Sequence, residues 1–131
     1  MKKILAVDDD PGILQTLTVA LGHKGYQVTV TTAPTEVESL VTHTRYDLVI
    51  LDVRMPVKSG IEVFDELKKK NPGLRYLFIT AFLKSFAVDS EKMLAMWQQE
   101  FADGETDVLY KPFTLDILYE KVEGLIGPAR G

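Results

Sequence analysis

Five side chains stand out by type and position: Asp8, Asp9, Asp52, Thr80 and Lys111. Each ends or closely follows a short apolar run, so a polar, reactive group sits where a buried segment stops. Three carboxylates drawn into one crevice repel one another, and the arrangement is tolerable only when a cation or a proton neutralises them. Mg2+ suits such a set, because it takes hard oxygen ligands and keeps several waters beside one or two carboxylates and a phosphate. Lys111 adds a point charge for phosphate oxygens, and the Thr80 hydroxyl can donate a hydrogen bond to another. These residue types therefore suit cation-dependent handling of a phosphoryl group.

Whether the five groups meet depends on the elements that carry them. Runs rich in Val, Ile, Leu and aromatic residues at 3–7, 27–31, 48–51, 76–80 and 108–110 read as strands. Several are almost continuously apolar, as strands covered on both faces of a parallel sheet must be. Helical patterns lie between them. Pro11 opens one, with Ile13, Leu14, Leu17 and Leu21 on one face. Pro34 opens a second, with Val37, Leu40 and Val41, and Ser59-Gly60 precedes a third, with Ile61, Phe64 and Leu67. A fourth covers 86–101, with Met93, Leu94, Trp97 and Phe101. Thr114 caps the last, whose stripe is Leu115, Leu118, Val122 and Leu125.

Strands alternating with helices predict a doubly wound α/β domain with right-handed crossovers. All five chemical residues then fall at the C-terminal ends of strands, the edge where open parallel sheets bind ligands. With strand order 2-1-3-4-5, the first and third strands are neighbours across the reversal, and Asp8 and Asp9 approach Asp52. Asp10 is expected to cap the first helix instead.

Composition narrows the function classes. The chain has 131 residues, 46% apolar, with a net charge of -4 and no cysteine. That is the size of one domain, with no general attraction to nucleic acid and no thiolate chemistry. The basic cluster Lys68-Lys69-Lys70 reads as cations at a helix C-terminus. His23 and His43 read as surface residues, lacking paired ligand spacing. The apolar run at the N-terminus stops at Asp8, too early for a secretory signal, and no run is long enough for a membrane span, so a cytoplasmic protein is expected.

The ordered fragments Ile4-Leu5-Ala6-Val7-Asp8-Asp9-Asp10, Leu51-Asp52-Val53-Arg54-Met55-Pro56 with Gly60, Ile79-Thr80-Ala81 and Lys111-Pro112-Phe113 resemble the receiver domains of two-component response regulators, which have a flavodoxin-like fold. The resemblance covers 4–126, implying a receiver domain over 1–126 and a terminal tail or the start of a linker at 127–131. It implies that Asp52 accepts a phosphoryl group and that Asp9 and Asp52 ligate Mg2+ with help from the Arg54 backbone carbonyl. Asp8 would act through water, Thr80 and Lys111 would sense the phosphoryl group, and the Lys111-Pro112 bond would be cis. The implied partners are a histidine kinase or phosphotransfer protein upstream, and a downstream protein or linked output domain. No direct contact with nucleic acid or membrane is implied; a homodimer formed on phosphorylation is. Such a protein takes part in its own phosphorylation and slow dephosphorylation without being a conventional enzyme.

The chain departs from the family pattern in two places. The stretch between Thr80 and Gly104 is longer by about two helical turns, at ~3.6 residues per turn. Val108 stands where the family places an aromatic or histidine ring, which leaves open how a signal passes to the surface around the fourth helical segment and the fifth strand. Arg54 and Phe82, two residues past Asp52 and Thr80, are expected to shield the site from water and prolong the phosphorylated form. Two other readings compete. A phosphorylation-independent interaction module would have no need of the full acidic and Lys111 set. A Mg2+-dependent phosphatase would want a second aspartate two residues after Asp52, where Arg54 stands.

Overall fold

The computed structural model describes residues 1–55, 57–81 and 105–129. Five strands, β1 (Lys3–Val7), β2 (Gln27–Thr31), β3 (Leu48–Asp52), β4 (Arg75–Ala81) and β5 (Thr106–Lys111), form one parallel sheet in the order β2-β1-β3-β4-β5. Helices α1 (Pro11–His23), α2 (Val37–His43), α3 (Gly60–Lys70) and α4 (Leu115–Ile126) cover its faces. This is the doubly wound, flavodoxin-like arrangement expected from the sequence. The predicted helical segment at 86–101, with Phe82 and Trp97, lies outside the described residues.

The apolar runs of β1, β3 and β4 are continuous because each of these strands feeds two cores. Ile4, Ala6, Ile50, Leu77, Ile79 and Leu109 face α1 and α4, whose Leu17, Leu21, Leu118 and Val122 complete that layer. Leu5, Val7, Val49, Leu51 and Phe78 point the other way, onto Val37 of α2 and Val63, Phe64 and Leu67 of α3. Side-chain alternation along a strand thus divides one sequence run between two layers. Burying a residue such as Leu5 or Leu51 completely is worth about 1.5–3 kcal/mol each.

Local signals set the helix starts. The Asp10 side chain accepts a hydrogen bond from the Gly12 N–H at 2.8 Å and caps α1, with Pro11 in the first turn. Ser59 caps α3 and Thr114 caps α4 in the same way. The second helix differs from expectation. Pro34 opens only a 3-10 turn, Pro34–Glu36, and the α-helix begins at Val37. Ala33, the residue before that turn, offers no side-chain acceptor for the first amides. At the far end of the chain, Gly127 O accepts the Tyr26 hydroxyl at 2.7 Å, and Ala129 is buried in the α1/α4 layer.

Gly60, the first residue of α3, is where helix and strand come closest. A Cβ there would lie 2.2 Å from the Asp52 carbonyl oxygen, and the Gly60 N–H donates to Val53 O at 3.1 Å. The absent side chain lets α3 start directly against the end of β3. Gly22, near the end of α1, has open space around it. Gly60→Ala is therefore expected to lower the unfolding free energy by about 1–3 kcal/mol through forced displacement. Gly22→Ala is expected to raise it by about 0.5–1 kcal/mol. Chemical denaturation of both variants against the wild type checks the contrast.

Candidate functional site

The C-terminal edge of the sheet collects the polar residues that the apolar strands cannot absorb. β1 ends at Val7, and the next amide, Asp8 N–H, donates to Thr31 O at 3.3 Å, so the ladder with β2 runs one residue into the acidic segment. Asp52 is the last residue of β3, paired in register with Ile79 of β4. The neighbouring Val53 N–H donates to Ile79 O at 2.9 Å. β1 and β3 are adjacent, with Val7 opposite Leu51, so the two acidic ends must emerge side by side.

They do so at close range. Asp8, Asp9 and Asp52 each offer a carboxylate oxygen within 4.8 Å of the other two. Asp8 and Asp52 are 1% and 6% exposed, which removes most of the water that would screen them. Asp9 is exposed. Lys111, the last residue of β5, brings its Nζ to 3.2 Å from Asp8 Oδ2 and 3.7 Å from Asp52 Oδ2. The backbone adds two more partners. Asp10 N–H donates to Asp8 Oδ1 at 2.9 Å, and Arg54 N–H donates to Asp52 Oδ1 at 3.2 Å.

One lysine does not balance three carboxylates. Burial pushes the Asp52 carboxyl up to about 7, and the nearby Asp8 charge pushes the same way. Lys111 and the Arg54 amide oppose the shift without cancelling it. A site that holds a buried carboxyl close to neutrality is one that a divalent cation would relieve. The donor set, carboxylate oxygens open on the Asp9 side, fits a hard cation such as Mg2+.

The remaining predicted residues fall around this cluster. Thr80 lies one residue beyond the register partner of Asp52, half-buried, and pairs in register with Tyr110. Arg54 is exposed, and its backbone N–H, in the same residue as the carbonyl of interest, already engages Asp52. The Lys111-Pro112 peptide is cis, as the motif implied. Val108 is buried against the α2/α3 layer and acts as a core residue. Asp10 belongs to the helix cap and not to the cluster.

Two positioning residues were not legible as such. Gly60 appeared only as a motif letter, and its role follows from the Asp52 carbonyl that a Cβ would strike. Thr31 read as an ordinary strand residue, yet its carbonyl holds Asp8, while its hydroxyl donates to Glu36 and accepts from the Ala33 amide. No pattern in one sequence marks a backbone carbonyl as a partner of an acidic residue.

Comparison with known proteins agrees with this geometry. Residues 4–123 match the response regulator receiver domain family. The transcriptional regulatory protein GlrR of Escherichia coli is 32% identical over 120 residues, covering 92% of this chain and 25% of that protein. The response regulator MprA of Mycobacterium leprae is 32% identical over 124 residues, covering 95% and 50%. The chain thus spans a quarter to a half of the length of these curated relatives. Among solved structures, response regulator TrrA of Thermotoga maritima, determined in complex with Mg2+ and BeF, shares 36% identity with a TM-score of 0.77, covering 95% of this chain and 99% of that one. A receiver domain protein of Clostridium thermocellum shares 28% with a TM-score of 0.78, covering 96% and 94%. With the family matched across nearly the whole length and the acidic cluster where its motifs fall, this chain belongs to the response regulator receiver domains.

Proposed function

We propose that the chain is a Mg2+-dependent phosphoacceptor whose Asp52 takes a phosphoryl group from a histidine kinase or phosphotransfer protein. The observation that carries this reading is the meeting of Asp8, Asp9 and Asp52 within 4.8 Å beneath the Lys111 ammonium. Asp9 and Asp52, with the Arg54 carbonyl, would hold Mg2+, and Asp8 would act through water. The ion would supply charge neutralisation for the carboxylates and for the incoming phosphoryl oxygens.

The protein's own groups then divide the work. An Asp52 carboxylate oxygen attacks phosphorus in line, an O–P bond forms, and the P–N bond to the donor histidine breaks with its electron pair left on the imidazole. Lys111, already 3.7 Å from Asp52, offers its ammonium to a phosphoryl oxygen. The Thr80 hydroxyl, at the end of the neighbouring strand, donates to another. Arg54, and Phe82 by its place in the sequence two residues past Thr80, would shield Asp52 from water and slow hydrolysis. The protein turns over slowly on itself and is a switch, not a conventional enzyme. Its response reaches a downstream protein, or an output domain such as the longer relatives have room for, through the surface around 86–101 and β5. A homodimer forming there on phosphorylation is one form the response would take, and the cytoplasm, where kinases of this class present phosphohistidine, is its expected location.

Wild type incubated with Mg2+ and acetyl phosphate is expected to gain one phosphoryl mass, and Asp52→Asn is expected to gain none while keeping its fold. Equal labelling of Asp52→Asn, or labelling that survives a chelator, would refute the assignment of Asp52.

The elevated Asp52 carboxyl also fixes a pH dependence. Its folded value, about 7, lies above the ordinary 3.8, so the folded state binds the extra proton between these limits. The stability this contributes is full below pH 4 and is lost as pH rises through 7. Without metal, the wild type is expected to lose up to roughly 2.5 kcal/mol more than Asp52→Asn between pH 5 and pH 8. Mg2+ added at pH 8 is expected to restore most of that difference in the wild type alone. Melting curves in chelator and in Mg2+ read both effects, and equal pH slopes for the two proteins would contradict the raised carboxyl.

A further inference from the structure

The two edges of the sheet are guarded differently. β5 carries Asp107, and Lys121 of α4 reaches Asp107 at 3.1 Å, so a charge pair stands at that edge. β2 has no such guard. From 26 to 35 the sequence holds no acidic or basic residue, and the β2 register with β1 runs without a bulge from Gln27 to Thr31. An edge strand displays a row of backbone donors and acceptors that can template another strand, and charge, proline or a bulge normally prevents it. Within β2 all three are missing.

The ladder identifies the open groups. Gln27 N–H donates to Lys2 O, and Thr31 O accepts the Asp8 N–H. In a parallel ladder alternate residues bond the same neighbour, so 27, 29 and 31 turn to β1, while Val28 and Val30 turn their N–H and C=O outward. Beside this edge, Val30, Leu14, Thr18 and Val19 line an open, mainly apolar groove of about 570 Å³. Val19 is 67% exposed and Val30 41%.

Charge selects what can lie there. Lys24 precedes β2, and Lys3 stands beside its first residue in register. Asp8, Asp9 and Asp10 follow the β1 residue that stands beside its last. The edge therefore runs from a basic end to an acidic end. A second copy laid antiparallel places unlike ends together, whereas a parallel one places like ends together. A two-fold axis gives this pairing with the same patch on both molecules.

We infer that β2 pairs antiparallel with β2 of a second copy, Val28 opposite Val30, joining two five-stranded sheets edge to edge. Each Val28–Val30 pair exchanges two backbone hydrogen bonds, and the two apolar grooves flank the seam. This association does not depend on Asp52 or on phosphorylation.

The test uses the absence of cysteine from the chain. The two-fold sets residue 29 opposite itself in a non-hydrogen-bonded pair, with Cα atoms about 4.5 Å apart, within disulfide range. Thr29→Cys is expected to form a covalent dimer under mild oxidation many-fold faster than Ser39→Cys, an exposed control on α2. In sedimentation equilibrium the wild type is expected to pass from monomer to dimer with rising concentration. Val30→Pro, which removes an outward N–H and leaves the β1 ladder intact, and Val30→Lys, which guards the edge, are expected to stay monomeric with an unchanged circular dichroism spectrum. Three outcomes overturn the pairing: a wild type monomeric up to millimolar concentration, Val30 variants that dimerise as well as the wild type, or Thr29→Cys that cross-links no faster than Ser39→Cys. Repeating the cross-linking in Asp52→Asn, where it is expected to persist, separates this association from the phosphoacceptor chemistry.

Discussion

The repulsion among Asp8, Asp9 and Asp52 is the constraint around which the rest of the structure is arranged. Two unit charges 4.8 Å apart at an effective dielectric of about 20 oppose each other by roughly 3 kcal/mol. That is a large fraction of the net stability of a domain this size. The segments bearing the charges must therefore be held by something stronger than their own preference. Ile4 to Val7 and Leu48 to Leu51, each at most 1% exposed, lead directly into Asp8 and Asp52. The acidic residues are carried into proximity by apolar strands that cannot leave the sheet without exposing both cores.

Holding the cluster also requires close approach by elements that contribute no charge. α3 begins with Gly60 against the Asp52 carbonyl, and β2 supplies the Thr31 carbonyl that fixes the Asp8 amide. Lys111 comes from the edge strand β5, with β4 between it and β3, so its long stem must cross the end of β4 to reach the acidic pair. All five strands thus contribute to one small region at their C-terminal ends, as open α/β sheets do at the point of strand reversal.

How much of this was legible in the sequence follows from which residues carry a local signal. β1 and β2 were readable to the residue, because both are bounded by turn or charged residues and rich in β-branched side chains. β5 was read as 108–110, but it spans Thr106–Lys111; its polar ends, Thr106, Asp107 and Lys111, resemble loop residues because an edge strand is paired on one side only. β4 likewise begins at Arg75, whose guanidinium bonds the Leu125 carbonyl at the end of α4, a reason for a charged strand start that exists only in three dimensions. The site residues were legible because each interrupts an apolar run at a strand end. Their division of partners was not, since it depends on distances across strands. The open β2 edge was equally hidden, because it becomes an edge only once the strand order is known.

That division of partners bears on reactivity. Lys111 lies nearer Asp8 than Asp52, and Asp8 gains a second donor from the Asp10 amide. Asp52 is left with the longer ammonium contact and a single amide, from Arg54, at 3.2 Å. It is accordingly the carboxyl that burial drives towards neutrality. A carboxylate with a raised proton affinity holds its electrons more available to an electrophile once the proton is gone, so the environment that destabilises the anion also improves it as a nucleophile. Moving Lys111 onto Asp52 would relieve the strain and blunt the group at the same time. The observed placement keeps the ammonium within reach of both carboxylates and nearer Asp8, so on the proposed reading Asp52, the acceptor, would be the one left for a captured cation to free.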